Sequence, residues 1–398
     1  MSKEVVLKKD ALWESFFMIG GVIAMIYQYS ILSLTEYFAL KVRKNIFIYL
    51  MATFSTGQLL SFLLLYFIGK RLSVRPTLLI SLLLGSISYG LMFMSIYVFP
   101  SANGKLIGCL VFMFINAITM TVFLIKITSL STGIGNIELV LLNLGTGLSG
   151  VSSNIILFIF SLIFPFKNNE IDYVRQLEYQ LIGYSCVIAL ILISFYIVET
   201  LFNKKYFDNV YSEYRYSNID KDIAHPIDAN STFKHGIDCY AGQFLNYAIS
   251  ISILSYFLAG AFFQFDFEKS KIYTVAVFNF FFNISDFLAK LIPHKFLVKG
   301  FVKMHSLSLV RILTVLYFVL IIKLDKEGGF FSKGWIRFII LSISGFFHGY
   351  LKNAFMTNCA DRFNDIGNKE LSGFYSIFSV ITGYFVGGII GLTTEIEI

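Results

Sequence analysis

Apolar residues in this chain run in long blocks, broken by polar stretches that are mostly short. A helix needs about 20 mostly apolar residues to cross the hydrocarbon core of a bilayer. On that measure the pattern predicts eleven spanning helices, opening near Leu12, Ile46, Pro76, Leu106, Ile137, Tyr179, Tyr240, Tyr273, Leu307, Trp335 and Leu371. One break is long. Residues 202–239 carry Lys204, Lys205, Arg215, Lys221 and Lys234 with six Asp or Glu, hold no apolar run of spanning length, and include the turn-like HPID and DANST. The expected organisation is a six-helix bundle over 1–201, a polar linker over 202–239 and a five-helix bundle over 240–398.

Composition sharpens this reading. Of 398 residues, 56% are hydrophobic and 14% charged, against roughly 25% charged in soluble domains. A soluble globule of this size has no room to hide so much apolar surface, so a soluble enzyme, a disordered chain and a secreted disulfide scaffold are excluded. What remains is an all-α polytopic membrane protein, integral and multi-pass. No sorting motif distinguishes the plasma membrane from an internal one. The net charge of +7 is read as basic loops against anionic lipid headgroups rather than as a nucleic-acid surface. Lys and Arg fall in excess on the side of the N-terminus, which places that end and the linker in the cytoplasm and the C-terminus outside. Asn230-Ser231-Thr232 matches a glycosylation acceptor but lies on the inner side in this topology. The first apolar segment is long enough to stay in the bilayer rather than be cleaved as a signal. Trp13 and Trp335, the only two Trp, read as interfacial anchors.

Function in such a protein is sought among polar groups within the spans, since a charge at mid-bilayer costs at least about 2.5–3.5 kcal/mol. The eighth span places Asn279, Asn283, Asp286 and Lys290 at spacings that share one helical face. Two readings stand side by side: a pathway lining in which Asp286 accepts hydrogen bonds from a solute, and an internal Asp286–Lys290 ion pair. The tenth span carries Ser344, His348 and Lys352 at i, i+4, i+8. His348 is read either as a solute contact or as a structural hydrogen-bonding group, and Lys352 as a side chain snorkelling to the inner interface. Arg311, inside the ninth span, is expected to be structural and to have a carboxylate partner. Glu14 and Glu36 are read as interfacial.

Small residues form a second pattern. Gly147, Gly150 and Asn154 share one face of the fifth span, and Ser376, Ser379, Gly383 and Gly387 recur along the last. Such spacings let helix backbones approach closely. The run GTGLSG lacks the Lys-Ser/Thr ending and the strand context of a phosphate loop. There is no HExxH, no GxSxG, no His/Cys/carboxylate cluster at ligand spacing and no selectivity-filter signature. The four Cys show no CxxC spacing, so neither zinc nor a disulfide framework is indicated. No cofactor, metal or enzymatic activity is expected.

These residues resemble the equilibrative nucleoside transporter family. Its eighth-span Asn-x-x-Asp-Phe-x-x-Arg run is similar to Asn283-Ile284-Ser285-Asp286-Phe287-Leu288-Ala289-Lys290. Its fifth-span GxGLSGV is similar to Gly145–Val151, its ninth-span Arg to Arg311, and its tenth-span Asn-Gly-Tyr-Leu to His348-Gly349-Tyr350-Leu351. The chain departs from the family at Tyr27-Gln28, where the family has Trp-Asn, at Thr121, near a family Gln, and at Lys290 and His348. The resemblance implies a major-facilitator-like 6+5 arrangement and a facilitative carrier of purine nucleosides or nucleobases. In it Tyr27 stacks on the base, with Gln28 beside it and Thr121 nearby, Asp286 accepts from ribose hydroxyls or base N–H groups, and Lys290 orients Asp286. Protons are an open second partner through Asp286 or His348. The alternatives are a carrier for a sugar or amino acid, and a non-transporting scaffold or enzyme subunit.

Overall fold

A computed structural model describes residues 10–34, 37–38, 41–43, 46–68, 72–163, 170–221, 229–264, 271–324 and 334–395. Among them regular structure is helical throughout, as a bilayer requires of any element that cannot close into a barrel. The helices are α1 (Ala11–Ser33), α2 (Ile46–Ile68), α3 (Val74–Val98), α4 (Ala102–Ile134), α5 (Asn136–Ile163), α6 (Glu170–Lys221), α7 (Ala229–Gln264), α8 (Lys271–Lys290), α9 (Phe301–Val310), α10 (Ile312–Leu324), α11 (Gly334–Ala360) and α12 (Ile366–Glu395). Helices α9 and α10 form one rod interrupted at Arg311, which gives eleven rods among the described residues. Eight stretches among the described residues are long and apolar enough to cross a bilayer. The chain is an integral multi-pass membrane protein.

The ends of several helices depart from the apolar pattern. Helix α6 begins at Glu170 and continues to Lys221, and α7 already starts at Ala229. Much of the 202–239 segment is therefore helix, and Ala229-Asn230-Ser231-Thr232 opens α7 instead of forming a turn, while HPID lies outside the described residues. Hydropathy marks only the apolar part of a helix, whereas the backbone ladder carries on into water when no Gly or Pro stops it. Glu36 lies outside the described residues.

Large apolar side chains face outward on α3 (Ile80, Leu83, Ile87), on α6 (Leu190, Ile193, Tyr196) and on the α9–α10 rod (Leu309, Leu313, Leu316). These are lipid-facing surfaces. Inside, one apolar cluster runs through α1–α6 and crosses into the second half at Tyr247, Met356, Ile381 and Tyr384. The halves meet along two seams, α5 against α8 and α11, and α2 and α4 against α12. On the N-terminal side the contact is closed. Asp361, between α11 and α12, accepts a hydrogen bond from Asn136 Nδ2 and lies 3.2 Å from His294 Nε2. Phe62 packs against Phe374 and Phe378 with ring centroids 4.5 and 4.1 Å away.

Trp13 is not an interfacial anchor. It is 1% exposed, its indole Nε1 donates to the buried Glu138 at 2.8 Å, and its ring sits among Phe17, Phe202 and Tyr206. Trp335 is 55% exposed, as an anchor should be. Just before α1, Asp10 caps the helix at Trp13 N and receives Lys205 and Tyr206, whose hydrogen bonds hold its carboxyl well below the usual range.

Candidate functional site

Polar residues converge where α5, α7, α8, α10 and α11 meet. On α8 the i, i+4 spacing closes an ion pair: Lys290 Nζ donates to Asp286 Oδ2 at 2.5 Å, with both side chains 2% exposed. Asp286 Oδ1 is buried without a hydrogen-bond partner among the described residues. The ion-pair reading of this stripe therefore holds geometrically, and one carboxylate oxygen stays unspent.

Glycines make the arrangement possible. A Cβ at Gly150 would lie 2.8 Å from Asn283 Cγ, and one at Gly147 would lie 3.1 Å from Lys290 Cδ. Helix α8 thus lays its polar face directly on the small-residue face of α5. On its other side Gly345 and Gly349 of α11 admit the α8 backbone: a Cβ at either would sit 2.4 Å from Phe282 O or 2.3 Å from Asp286 O. This second groove follows the small-xxx-small spacing of close membrane helix pairs. It is legible in the sequence at Gly345 and Gly349.

Arg311 interrupts the α9–α10 rod and turns its guanidinium onto α7. Nη1 donates to the carbonyl and side-chain oxygens of Asn246, and Nη2 donates to Ser250 Oγ at 2.5 Å. The carboxylate partner expected for Arg311 is replaced by these neutral acceptors. His348 Nδ1 pairs with the same Ser250 hydroxyl at 2.7 Å, its carbonyl accepts from Asn246 Nδ2 at 3.1 Å, and its ring lies edge-on to Tyr247. Asn246 and Ser250, one turn apart on α7, therefore gather Arg311 and His348 into one network. Lys352 does not snorkel. It is 6% exposed, and its Nζ donates at 2.9 Å to Thr146 Oγ1 of α5, across the seam between the halves.

A small cavity lies between the halves, with about 20 Å³ open to water centres, room for one or two waters. Its walls include Met25, Gln58, Thr128 and Thr146 from the first half and Tyr247, Lys352, Met356 and Tyr384 from the second. That space is far too small for a nucleoside or sugar. Lys352 is the only charged residue among those lining it.

The residues singled out in the sequence are only partly brought together. Asn283, Asp286, Lys290 and His348 belong to one buried cluster, and Asn279, also buried, lies a turn before Asn283. None of the five lines the small cavity. Gln28 faces Tyr384 across the halves. Thr121 is buried on the face of α4 that carries Leu124 and Thr128, both cavity-lining, farther along. Tyr27 points into the first bundle, where its hydroxyl meets Ser86 Oγ at 2.8 Å and its ring meets Tyr89 edge-on. The ring of α1 that shares the surroundings of Tyr384 and Asp286 is Tyr29. Residues missed from sequence are Thr146, Gln243, Asn246, Tyr247, Ser250 and Tyr384. The only signal for them was polarity inside an apolar span, weakest for the tyrosines, which suit membranes in any case.

No family model matches the chain, and no curated protein matches it. Solved structures do. The E. coli fucose:proton symporter FucP is similar with a TM-score of 0.55 at 15% identity, over 97% of this chain and 96% of that one. The proton:xylose symporter XylE, bound to 6-bromo-6-deoxy-D-glucose, gives 0.56 at 11% identity over 96% and 94%. The inward-open xylose transporter XylE from E. coli gives 0.55 at 12% identity over 96% and 94%. At these identities the likeness concerns fold. Over the described residues the helices are arranged as in these transporters.

Proposed function

We propose that this protein is a carrier that moves a small polar solute across a membrane by alternating access. The observation that carries the reading is the buried cluster of Asp286, Lys290, Arg311, His348 and Lys352, which meets α5 through Gly147 beside Lys290 and through the Lys352–Thr146 hydrogen bond. Charges in this position are costly to bury, and their usual use is a solute or ion pathway. The seams are built for motion: α5 and α8 touch through Gly147 and Gly150 without deep interlocking of large side chains, so the halves can rock apart around a central site. Opening uncovers Asn283 and the free oxygen of Asp286, while Lys290 holds that carboxylate in place. In this reading Gln28 of α1, Thr121 of α4 and His348 of α11 also contact the solute. Tyr27, tied to Ser86, shapes the α1 wall.

The Asn283–Lys290 run supports a purine nucleoside or nucleobase as the solute, driven by its own gradient, with proton coupling through Asp286 or His348 as a variant. A sugar is the second reading, favoured by the fucose and xylose transporters that share the fold. Uptake of labelled adenosine into proteoliposomes, competed by nucleobases, sugars and amino acids with and without a pH gradient, separates them.

A further inference from the structure

The inner cluster is unevenly charged, and the imbalance points to the solute. Lys290 and Asp286 neutralise each other at 2.5 Å. Two more cations remain. Arg311 donates only to Asn246 and Ser250, and Lys352 only to Thr146 Oγ1; neither hydrogen-bonds a carboxylate among the described residues. The Asp286 carboxylate is already committed to Lys290. His348 faces Arg311, Lys290 and Lys352 and supplies no negative charge. The Tyr247 ring, 6.0 Å from Lys352 Nζ, contributes only its π face. Among the described residues of this cluster, three basic side chains thus share one carboxylate in a region of low dielectric, where an uncompensated charge is unfavourable. The Asp286–Lys290 salt bridge does not require that surplus. Lys352 is also the charged residue on the cavity wall, and it spans the seam between α11 and α5.

We propose that Lys352 is a solute-binding residue and that the solute carries an oxyanion, a phosphate or a carboxylate, which docks on the Lys352 ammonium beside Thr146. This inference rests on the carrier reading and narrows its substrate class from neutral polar solutes to organic anions. The oxyanion would take over the hydrogen bond that Lys352 now gives to Thr146, so binding would loosen the tie between the halves at the point where they must separate.

The test is uptake by the full chain in proteoliposomes of five labelled probes: adenosine 5′-monophosphate, glucose 6-phosphate and glucuronate, with their neutral parents adenosine and glucose as controls. The expected result is uptake of at least one anion at tenfold or more the rate of its neutral parent. Lys352→Gln reduces that uptake tenfold or more, and Lys352→Arg retains most of it. The phosphate and carboxylate arms identify which oxyanion is meant. Thermal unfolding of Lys352→Gln guards against a folding defect; if that variant is unstable, the anion dependence of wild type and of Lys352→Arg decides. Uptake of the neutral parents in preference to the anions overturns this inference and leaves the carrier reading standing. Anion uptake untouched by a well-folded Lys352→Gln overturns the assignment of Lys352. Absence of flux for every probe overturns the carrier reading itself.

Discussion

Gly150 of α5 and Asn283 of α8 face each other so closely that a methyl group on the glycine would lie 2.8 Å from the amide carbon. The contact joins the two halves and sets the height at which the polar face of α8 meets α5. Larger side chains at Gly150 force these helices apart. Gly150→Val is expected to cost about 1–3 kcal/mol of stability, the usual range for overpacking, and to lower uptake at least tenfold. Gly150→Ala should be milder, because the Asn283 side chain can shift. Thermal unfolding in detergent and uptake in proteoliposomes check the pair of effects.

The Asp286–Lys290 pair predicts a non-additive mutant cycle. Asp286→Asn leaves Lys290 as a buried cation without its counter-charge, and breaking such a pair costs about 3–5 kcal/mol. Combining it with Lys290→Gln removes both charges and should restore most of the lost stability while uptake stays low. A double mutant as unstable as Asp286→Asn alone would show that the pair is not energetically coupled.

Arg311 is expected to resist replacement by Lys. Its planar fork reaches Asn246 and Ser250 together, which a single ammonium does not reproduce. Arg311→Lys should lose at least one charged hydrogen bond, about 1.5–3 kcal/mol, and weaken the anchoring of the α9–α10 rod on α7. Proteolysis rates or melting temperature report it, and an unchanged melting temperature contradicts the assigned fork.

Trp13 offers a spectroscopic check. In a Trp335→Phe background the remaining indole is buried against Glu138, so its emission should be blue-shifted and shielded from acrylamide. Trp13→Phe leaves the buried carboxylate short of a donor, at a cost of about 1–3 kcal/mol. Emission typical of an interfacial or exposed indole would contradict the buried position.

Much of the architecture was legible in the hydropathy pattern, because backbone satisfaction in lipid leaves helices as the natural answer to long apolar blocks. The eighth-span stripe was legible too, since Asn283, Asp286 and Lys290 share a face by spacing alone. Partner choice was not. Nothing in the spacing of Lys352 tells whether it snorkels or reaches Thr146, because that depends on where α5 lies. Trp13 misleads for a related reason: its place near a helix end suits an interface, and only the fold brings Glu138 to it from 125 residues away. Arg311 was expected to be structural with a carboxylate partner, and its neutral acceptors on α7 follow from tertiary contacts. Tyr27 was placed by resemblance, whereas its direction depends on the rotation of α1, which puts Tyr29 on the central side.

The claim that the two halves carry a solute past the Asp286 cluster is tested most directly by trans-stimulated uptake. Proteoliposomes preloaded with unlabelled solute are compared with empty ones for entry of the same labelled compound, using wild type and Asp286→Ala. The account predicts saturable entry of a purine, sugar or their anionic derivatives into wild-type vesicles, faster when the solute is present on the far side, and lost in the variant. Vesicles that take up none of these compounds, or Asp286→Ala vesicles that take them up at the wild-type rate, would contradict it.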